Sequence, residues 1–69
     1  MSENCLKNKV QYFRSNMGLT QIDLASAVNV TRQTIISIEK GNYVPSVLLS
    51  IKLARTLNTT VEDLFFEVN

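Results

Sequence analysis

The chain has 69 residues, 45% hydrophobic side chains and a net charge of +1, which suits one small globular domain and excludes a disordered polymer. The start of the chain is polar and no apolar run approaches the length of a membrane span, so neither a secretory signal nor a membrane helix is expected. One cysteine, Cys5, and no histidine exclude an intrachain disulfide and a cysteine–histidine metal site. We expect one cytoplasmic domain over residues 1–69, with a free thiol, no metal and no cofactor.

The charge is unevenly distributed along the chain. Residues 1–57 hold all seven Lys and Arg with three acids, for a net charge of +4, whereas the last twelve residues carry a net charge of −3. This distribution is typical of a protein with one surface turned towards nucleic acid and an acidic end turned away from it.

The first helix is predicted over residues 6–17. Residues 1–5 are polar and are expected to be loosely held, with a short edge strand as the alternative. Leu6, Val10, Phe13 and Met17 then recur at helical spacing and predict a buried stripe. Gly18 follows as the left-handed residue that closes a helix.

Residues 20–40 predict two short amphipathic helices, over residues 21–28 and 32–40, joined by a tight turn. Thr20 and Thr31 are natural N-caps for them, and Asn29 tolerates the left-handed conformation that a sharp turn requires. Ala25 is small enough to let the second helix cross closely. This arrangement favours a helix-turn-helix.

On a helical wheel, the second of these helices has an apolar side and an opposite, mostly polar side. Ile35 and Ile38 share one side. The opposite side carries cations, an amide, a hydroxyl and one apolar group, but no carboxylate: Arg32, Gln33, Ile36, Ser37 and Lys40. Arginine suits guanine edges, glutamine suits adenine edges, and an apolar side chain can meet a thymine methyl. On an isolated helix such a face would be ordinary solvated surface. The paired helix, the turn and the cap favour a DNA-reading face.

The C-terminal third predicts two further helices. Ser46 caps a helix that runs to about residue 57, with one buried face and two additional leucines: Val47, Ile51, Ala54 and Leu57, with Leu53 at the edge, and Leu48 and Leu49 beyond it. Thr60 caps a last short helix, and Asp63 three residues later approximates a capping box. Residues 66–68 could extend into a strand. Of the adjacent Phe65 and Phe66, one is expected to pack inward and the other to face a second subunit; simple closure of the core is the alternative.

The segment TQIDLASAVNVTRQTIISIEKGNYVPS, residues 20–46, resembles the Cro/repressor-type helix-turn-helix family of small bacterial and phage regulators. The resemblance continues through MGLTQ before it and PSVLLSIKLARTLNTTVEDLF after it, covering roughly residues 6–66, and is strongest to very short single-domain members such as the cytolysin-operon repressor type. It implies an all-α, compact five-helix, lambda-repressor-like fold with the helix-turn-helix at the second and third helices.

The resemblance also implies roles for individual side chains. It pairs Arg14 with Glu39 between two helices, which agrees with the high cost of an unpaired, half-buried carboxylate. Base contacts are expected from Arg32, Gln33, Ile36 and Ser37, with a phosphate as the alternative partner of Arg32. Contacts to the DNA backbone are expected from Gln21, Thr31, Thr34, Lys40, Asn42 and Tyr43.

We therefore predict a transcriptional regulator that binds double-stranded DNA, as a homodimer that represses from an inverted repeat. Leftover apolar surface predicts the dimer interface at Leu48, Val61, Leu64, Phe65, Phe66 and Val68; Leu48 stands where the family usually has a polar residue. The alternative is an antitoxin or other interaction module whose apolar C-terminal end binds a partner protein. An enzyme is disfavoured because the chain has no histidine, no credible nucleophile–base pair and no phosphate-cradling glycine loop.

Overall fold

The computed structural model describes residues 5–68, and the expectation for residues 1–4 lies outside this range. Five helices lie between two short strands: β1 (Cys5–Asn8), α1 (Val10–Asn16), α2 (Gln21–Ala27), α3 (Arg32–Glu39), α4 (Val47–Thr56), α5 (Val61–Leu64) and β2 (Phe65–Val68). None of the helices in this part of the chain is long and apolar enough to cross a bilayer.

Four helices begin at a hydroxyl residue whose side chain caps them. The side-chain oxygens of Thr20, Thr31, Ser46 and Thr60 each accept a hydrogen bond from the backbone N–H three residues later, at 3.0–3.3 Å. At Thr20 the capping box is complete, because the Asp23 carboxylate also accepts the Thr20 N–H at 2.9 Å. Each cap satisfies an amide that the helix itself leaves without a partner, which fixes where the helix begins.

Helices α1 to α4 all end in the same backbone motif. Gly18, Asn29, Gly41 and Asn58 have φ angles of 70°, 61°, 81° and 56°. Each donates its N–H to the carbonyl three residues back, and the next residue donates to the carbonyl five residues back, at 2.9–3.3 Å. These paired bonds define a Schellman motif, which needs a residue that tolerates the left-handed region. Glycine and asparagine therefore set the helix ends.

The core lies where α2, α3, α4 and α5 meet the start of α1. Its largest fully buried side chains are Val10, Leu24, Ile35, Ile38, Leu53, Leu57 and Leu64. Burying one such side chain contributes about 1.5–3 kcal/mol. Because Ile35 and Ile38 belong to this set, the core holds α3 by one face and leaves its opposite face outward.

The predicted start of the first helix at residue 6 is wrong. Leu6 lies in β1, opposite Glu67 of β2, and α1 begins only at Val10. Leu6 and Met17 are both exposed, so the predicted stripe reaches the core only through Val10 and Phe13. Pairing with a strand 61 positions away overrides the local helical spacing of Leu6 and Val10.

The two strands form an antiparallel sheet, so the class is mostly helical and not strictly all-α. Cys5 pairs with Val68 and Asn8 with Phe65. Since alternate residues of a strand face opposite sides, Asn8 and Phe65 share the face towards the core, while Lys7 and Phe66 share the outer face. The strand that residues 66–68 could form is present as part of β2, and its partner β1 takes the place of a predicted helical turn.

The buried face of α4 differs from the predicted one. Val47, expected in the core, is 78% exposed, and Ile51 lies at the edge. The helix instead buries four residues of its own: Leu49, Ser50, Leu53 and Ala54. Ser50 is tolerated there because its hydroxyl donates to the Ser46 carbonyl at 2.8 Å.

Candidate nucleic-acid interface

Helices α2 and α3 form the helix-turn-helix, and apolar contacts fix their crossing. Leu24 and Ala25 of α2 are buried in the same cluster as Ile35 and Ile38 of α3. The Schellman motif at Asn29 reverses the chain between them. Ala25, which the sequence predicts to allow a close crossing, is 3% exposed within this cluster.

Arg14 and Glu39 form a largely buried ion pair between α1 and the end of α3. Arg14 Nε lies 2.7 Å from Glu39 Oε2, and the side chains are only 12% and 5% exposed. A second guanidinium nitrogen donates to Glu39 Oε1 at 3.3 Å, and the third donates to the Leu19 carbonyl at 2.9 Å. One arginine therefore fixes α1, α3 and the segment that leads into α2.

Gln21, expected at the DNA backbone, is also part of this joint. Its Nε2 donates to Glu39 Oε1 at 3.1 Å, which ties the start of α2 to the end of α3. Glu39 thus accepts bonds from both Arg14 and Gln21, and a carboxylate with several charge-assisted donors is a rigid anchor. The second N–H of the Gln21 amide is chemically available to another acceptor.

The outward face of α3 is polar and carries positive charge. Arg32, Gln33 and Lys40 are exposed, and Ile36 and Ser37 are half-exposed. The carboxylate of Glu39 is held on the core side. The structure thus places the five predicted side chains on the side of α3 that the core does not cover.

The remaining expected backbone contacts lie at the two ends of α3. At its start, the Thr31 and Thr34 hydroxyl oxygens lie 3.1 Å apart and share a hydrogen bond. After its end, Gly41 reverses the chain, and the exposed Asn42 and Tyr43 follow. Hydroxyl and amide groups therefore lie at both ends of the outward face of α3.

Asn8 is a residue whose place in this region the sequence analysis missed. Its Nδ2 donates to the Ile38 carbonyl of α3 at 2.8 Å, and its Oδ1 accepts the Val10 N–H at 3.1 Å. An asparagine can accept a hydrogen bond from the backbone N–H two residues on, which is a local signal just before a helix. Its long-range bond to α3 has no signature in the sequence.

Residues expected at a dimer interface fall into three environments. Phe66 and Val68 are 38% and 41% exposed on the sheet formed by β1 and β2 (the terminal sheet), and Leu48 is exposed on α4. Val61 and Phe65 are half-buried against the core. Leu64 is fully buried inside its own subunit, so its side chain has no surface to offer a second copy, and we correct that assignment.

The pKa of Asp23 lies below its ordinary value of 3.8. The main cause is the hydrogen bond from the Thr20 backbone N–H, followed by the Thr20 hydroxyl. Both favour the ionised carboxylate at the first turn of α2. The capping box is therefore in its charged form near neutral pH.

Comparison with known proteins identifies this arrangement. The sequence profile of the helix-turn-helix family matches residues 10–64. The HTH-type transcriptional regulator MJ0272 of Methanocaldococcus jannaschii is 50% identical over 60 residues, which are 87% of this chain and 91% of that protein.

Two solved structures have the same fold with a TM-score of 0.74. The clp gene regulator ClgR of Corynebacterium glutamicum is 28% identical, over 78% of this chain and 57% of that one. The restriction-modification controller protein C.AhdI of Aeromonas hydrophila is 25% identical, over 80% and 83% of the two chains. Family and fold together make the protein a DNA-binding regulator and not an enzyme. The chain belongs to the Cro/repressor-type helix-turn-helix family of transcriptional regulators.

Proposed function

We propose that the protein is a repressor that binds an inverted-repeat operator as a homodimer, with α3 of each subunit in the major groove. The observation that carries the proposal is the outward face of α3. It presents two cations, an amide and a hydroxyl without a carboxylate, while the ion pair at Glu39 holds the opposite face rigidly. A fixed, donor-rich helix face is what direct reading of base edges requires.

Specification of the sequence falls to four side chains of α3: Arg32, Gln33, Ile36 and Ser37. Gln33 is exposed near the start of α3, the part of a recognition helix that contacts base edges. Its amide matches adenine, while Ile36 offers an apolar contact to a thymine methyl. Arg32 can bind either a guanine edge or a phosphate.

Positioning on the duplex falls to six residues at the rim of that face: Gln21, Thr31, Thr34, Lys40, Asn42 and Tyr43. Each carries a hydroxyl, amide or ammonium donor for a phosphate oxygen. With about 6–10 phosphate contacts per dimer, affinity should fall by roughly 10³–10⁵ between 50 and 200 mM salt.

A homodimer is supported by the exposed apolar side chains of the terminal sheet. Phe66 and Val68 lie on it, next to the acidic residues of the last twelve positions, an end that is unsuited to face DNA. A two-fold pair would place two copies of α3 about 34 Å apart, one turn of DNA. In the cytoplasm, such a dimer would repress by occupying a promoter.

The test is selection and sequencing of bound duplexes from random pools. Wild type should enrich a short inverted repeat. Gln33→Ala should relax one position in each half-site, with a loss of about 5- to 150-fold in discrimination there, the range of one bidentate base contact. Gln11→Ala is the matched control, because Gln11 is an exposed glutamine on α1 and is not among the residues proposed to contact DNA, and it should select the wild-type repeat.

Three results would count against the proposal. No enrichment at low salt would favour a protein-interaction module that binds a partner through its C-terminal end. A single half-site without a repeat would remove the homodimer. Increased transcription from a template carrying the selected site would replace repression by activation.

A further inference from the structure

One side chain connects the recognition helix to the terminal sheet. Asn8 is the last residue of β1, and it reaches the end of α3 and the start of α1 at once. We infer that Asn8 is a positioning residue that fixes the direction of α3 relative to the sheet, and thereby the half-site spacing that the dimer selects. The inference rests on the proposed homodimer.

The contacts of Asn8 are short and involve both atoms of its amide. Nδ2 donates to the Ile38 carbonyl at 2.8 Å, and Oδ1 accepts from the Val10 N–H at 3.1 Å. The backbone next to it is fixed as well, because Lys9 N–H donates to the Leu64 carbonyl at 2.9 Å. Asn8 therefore sits on a part of the chain that α5 and β2 hold in place.

The acceptor on α3 is the carbonyl that closes the helix. Ile38 O also accepts the Gly41 N–H at 2.9 Å within the Schellman motif. A carbonyl oxygen has two lone pairs, and here the helix end uses one and Asn8 uses the other. The bond from Asn8 thus acts on the segment that leads from α3 to Asn42 and Tyr43.

The pair of bonds requires the amide of asparagine. One atom must donate and the other must accept, on a side chain of this length. Ionised aspartate has no donor for Ile38 O. Serine keeps an oxygen that can cap Val10, but a hydroxyl on the first side-chain carbon is too short to reach α3 as well.

If the terminal sheet carries the dimer contact, the half-site spacing depends on the bond between Asn8 and Ile38. Each subunit then transmits the position of the dimer face to α3 through the elements that connect the two. A spacer longer by one base pair moves the half-sites apart by about 3.4 Å and rotates one against the other. A fixed α3 rejects that spacer, whereas a loosened α3 adapts to it.

The experiment compares wild type, Asn8→Ser and Asn16→Ser on inverted repeats whose central spacer varies by one base pair. Asn16, the last residue of α1, is exposed, so the same substitution there serves as the matched control. For Asn8→Ser we expect the preference for the best spacer over its neighbours to fall about three- to tenfold, the effect of one hydrogen bond. Affinity for an isolated half-site and the salt dependence should stay at the wild-type level. Asn16→Ser should match wild type throughout.

A second measurement uses the free protein. Residual dipolar couplings of backbone amides report the orientation of α3 relative to the two strands. In wild type and Asn16→Ser, one alignment tensor should fit both elements, whereas in Asn8→Ser the two elements should require different tensors. Wild-type couplings together with a wild-type spacer preference in Asn8→Ser would overturn the inference. If wild type itself selects no repeat, the homodimer fails, and unchanged or changed couplings then decide whether Asn8 fixes α3.

Discussion

The helix-turn-helix and the terminal sheet are held together by different means. In the helix-turn-helix, buried isoleucines, two hydroxyl caps and the carboxylate of Glu39 determine the geometry within one subunit. The terminal sheet has two strands of four residues each and leaves Phe66 and Val68 exposed. A two-stranded sheet is marginal on its own. The outward face of α3 that we propose to read DNA thus depends on contacts within one chain, while the terminal sheet leaves apolar side chains exposed.

The largest expected effect comes from breaking the joint of the helix-turn-helix. Glu39→Gln removes the charge that Arg14 faces in a mostly buried site, and we expect a loss of about 3 kcal/mol in the free energy of unfolding. Urea unfolding followed by far-UV circular dichroism measures it. Glu62→Gln, the same change at an exposed position of α5, should stay within about 0.5 kcal/mol of wild type. Equal losses in the two variants would contradict a structural role for the pair.

Substitutions on the terminal sheet should change the dimer Kd more than the free energy of unfolding of one subunit. We expect Phe66→Ala to weaken self-association about tenfold or more, because a buried aromatic anchor often dominates an interface. Sedimentation equilibrium at several concentrations measures the dimer Kd. Val47→Ala truncates a side chain that is 78% exposed on α4, outside the predicted interface, and serves as the control. A larger effect of Val47→Ala would move the dimer contact to α4.

The smallest expected effect is a change in how the stability of the helix-turn-helix depends on pH. The lowered pKa of Asp23 means that the folded state binds its proton less readily than the unfolded state. Its contribution to stability is therefore complete above the ordinary pKa and is lost as pH falls through the lower folded value. Asp23→Asn should lose part of the stability difference between pH 6 and pH 3, measured by urea unfolding at each pH. Identical pH profiles of wild type and Asp23→Asn would contradict this role of the capping box.

Local chemistry explains what the sequence predicts well. A hydroxyl before an apolar pattern marks a helix start, as at Thr31, and a left-handed residue marks an end, as at Gly18 and Asn29. These signals depend on neighbouring residues only. The ion pair of Arg14 with Glu39 is present as well, although its prediction depended on a family resemblance.

Long-range pairing explains what the sequence does not predict. Leu6 has the spacing of a helical residue, but its partner in β2 makes it part of a strand. In α4, two apolar stripes overlap in the sequence. The buried face includes Ser50, whose hydroxyl is hydrogen-bonded, so a pattern of apolar residues alone does not identify that face. The bond from Asn8 to Ile38 joins residues 30 positions apart. None of these features follows from periodicity.

The register of the sheet has a consequence for synthesis of the chain. Cys5 pairs with Val68, so β1 has no partner strand until synthesis has reached β2. The helix-turn-helix needs no residue beyond about position 42 for its own caps and turn, and contacts of such short range form quickly. The caps and the turn of α2 and α3 can therefore form early, whereas the core under α3 waits for α4 and α5, and the sheet that we propose for pairing forms last. A chain that has not yet reached β2 would accordingly lack the surface that we propose for pairing.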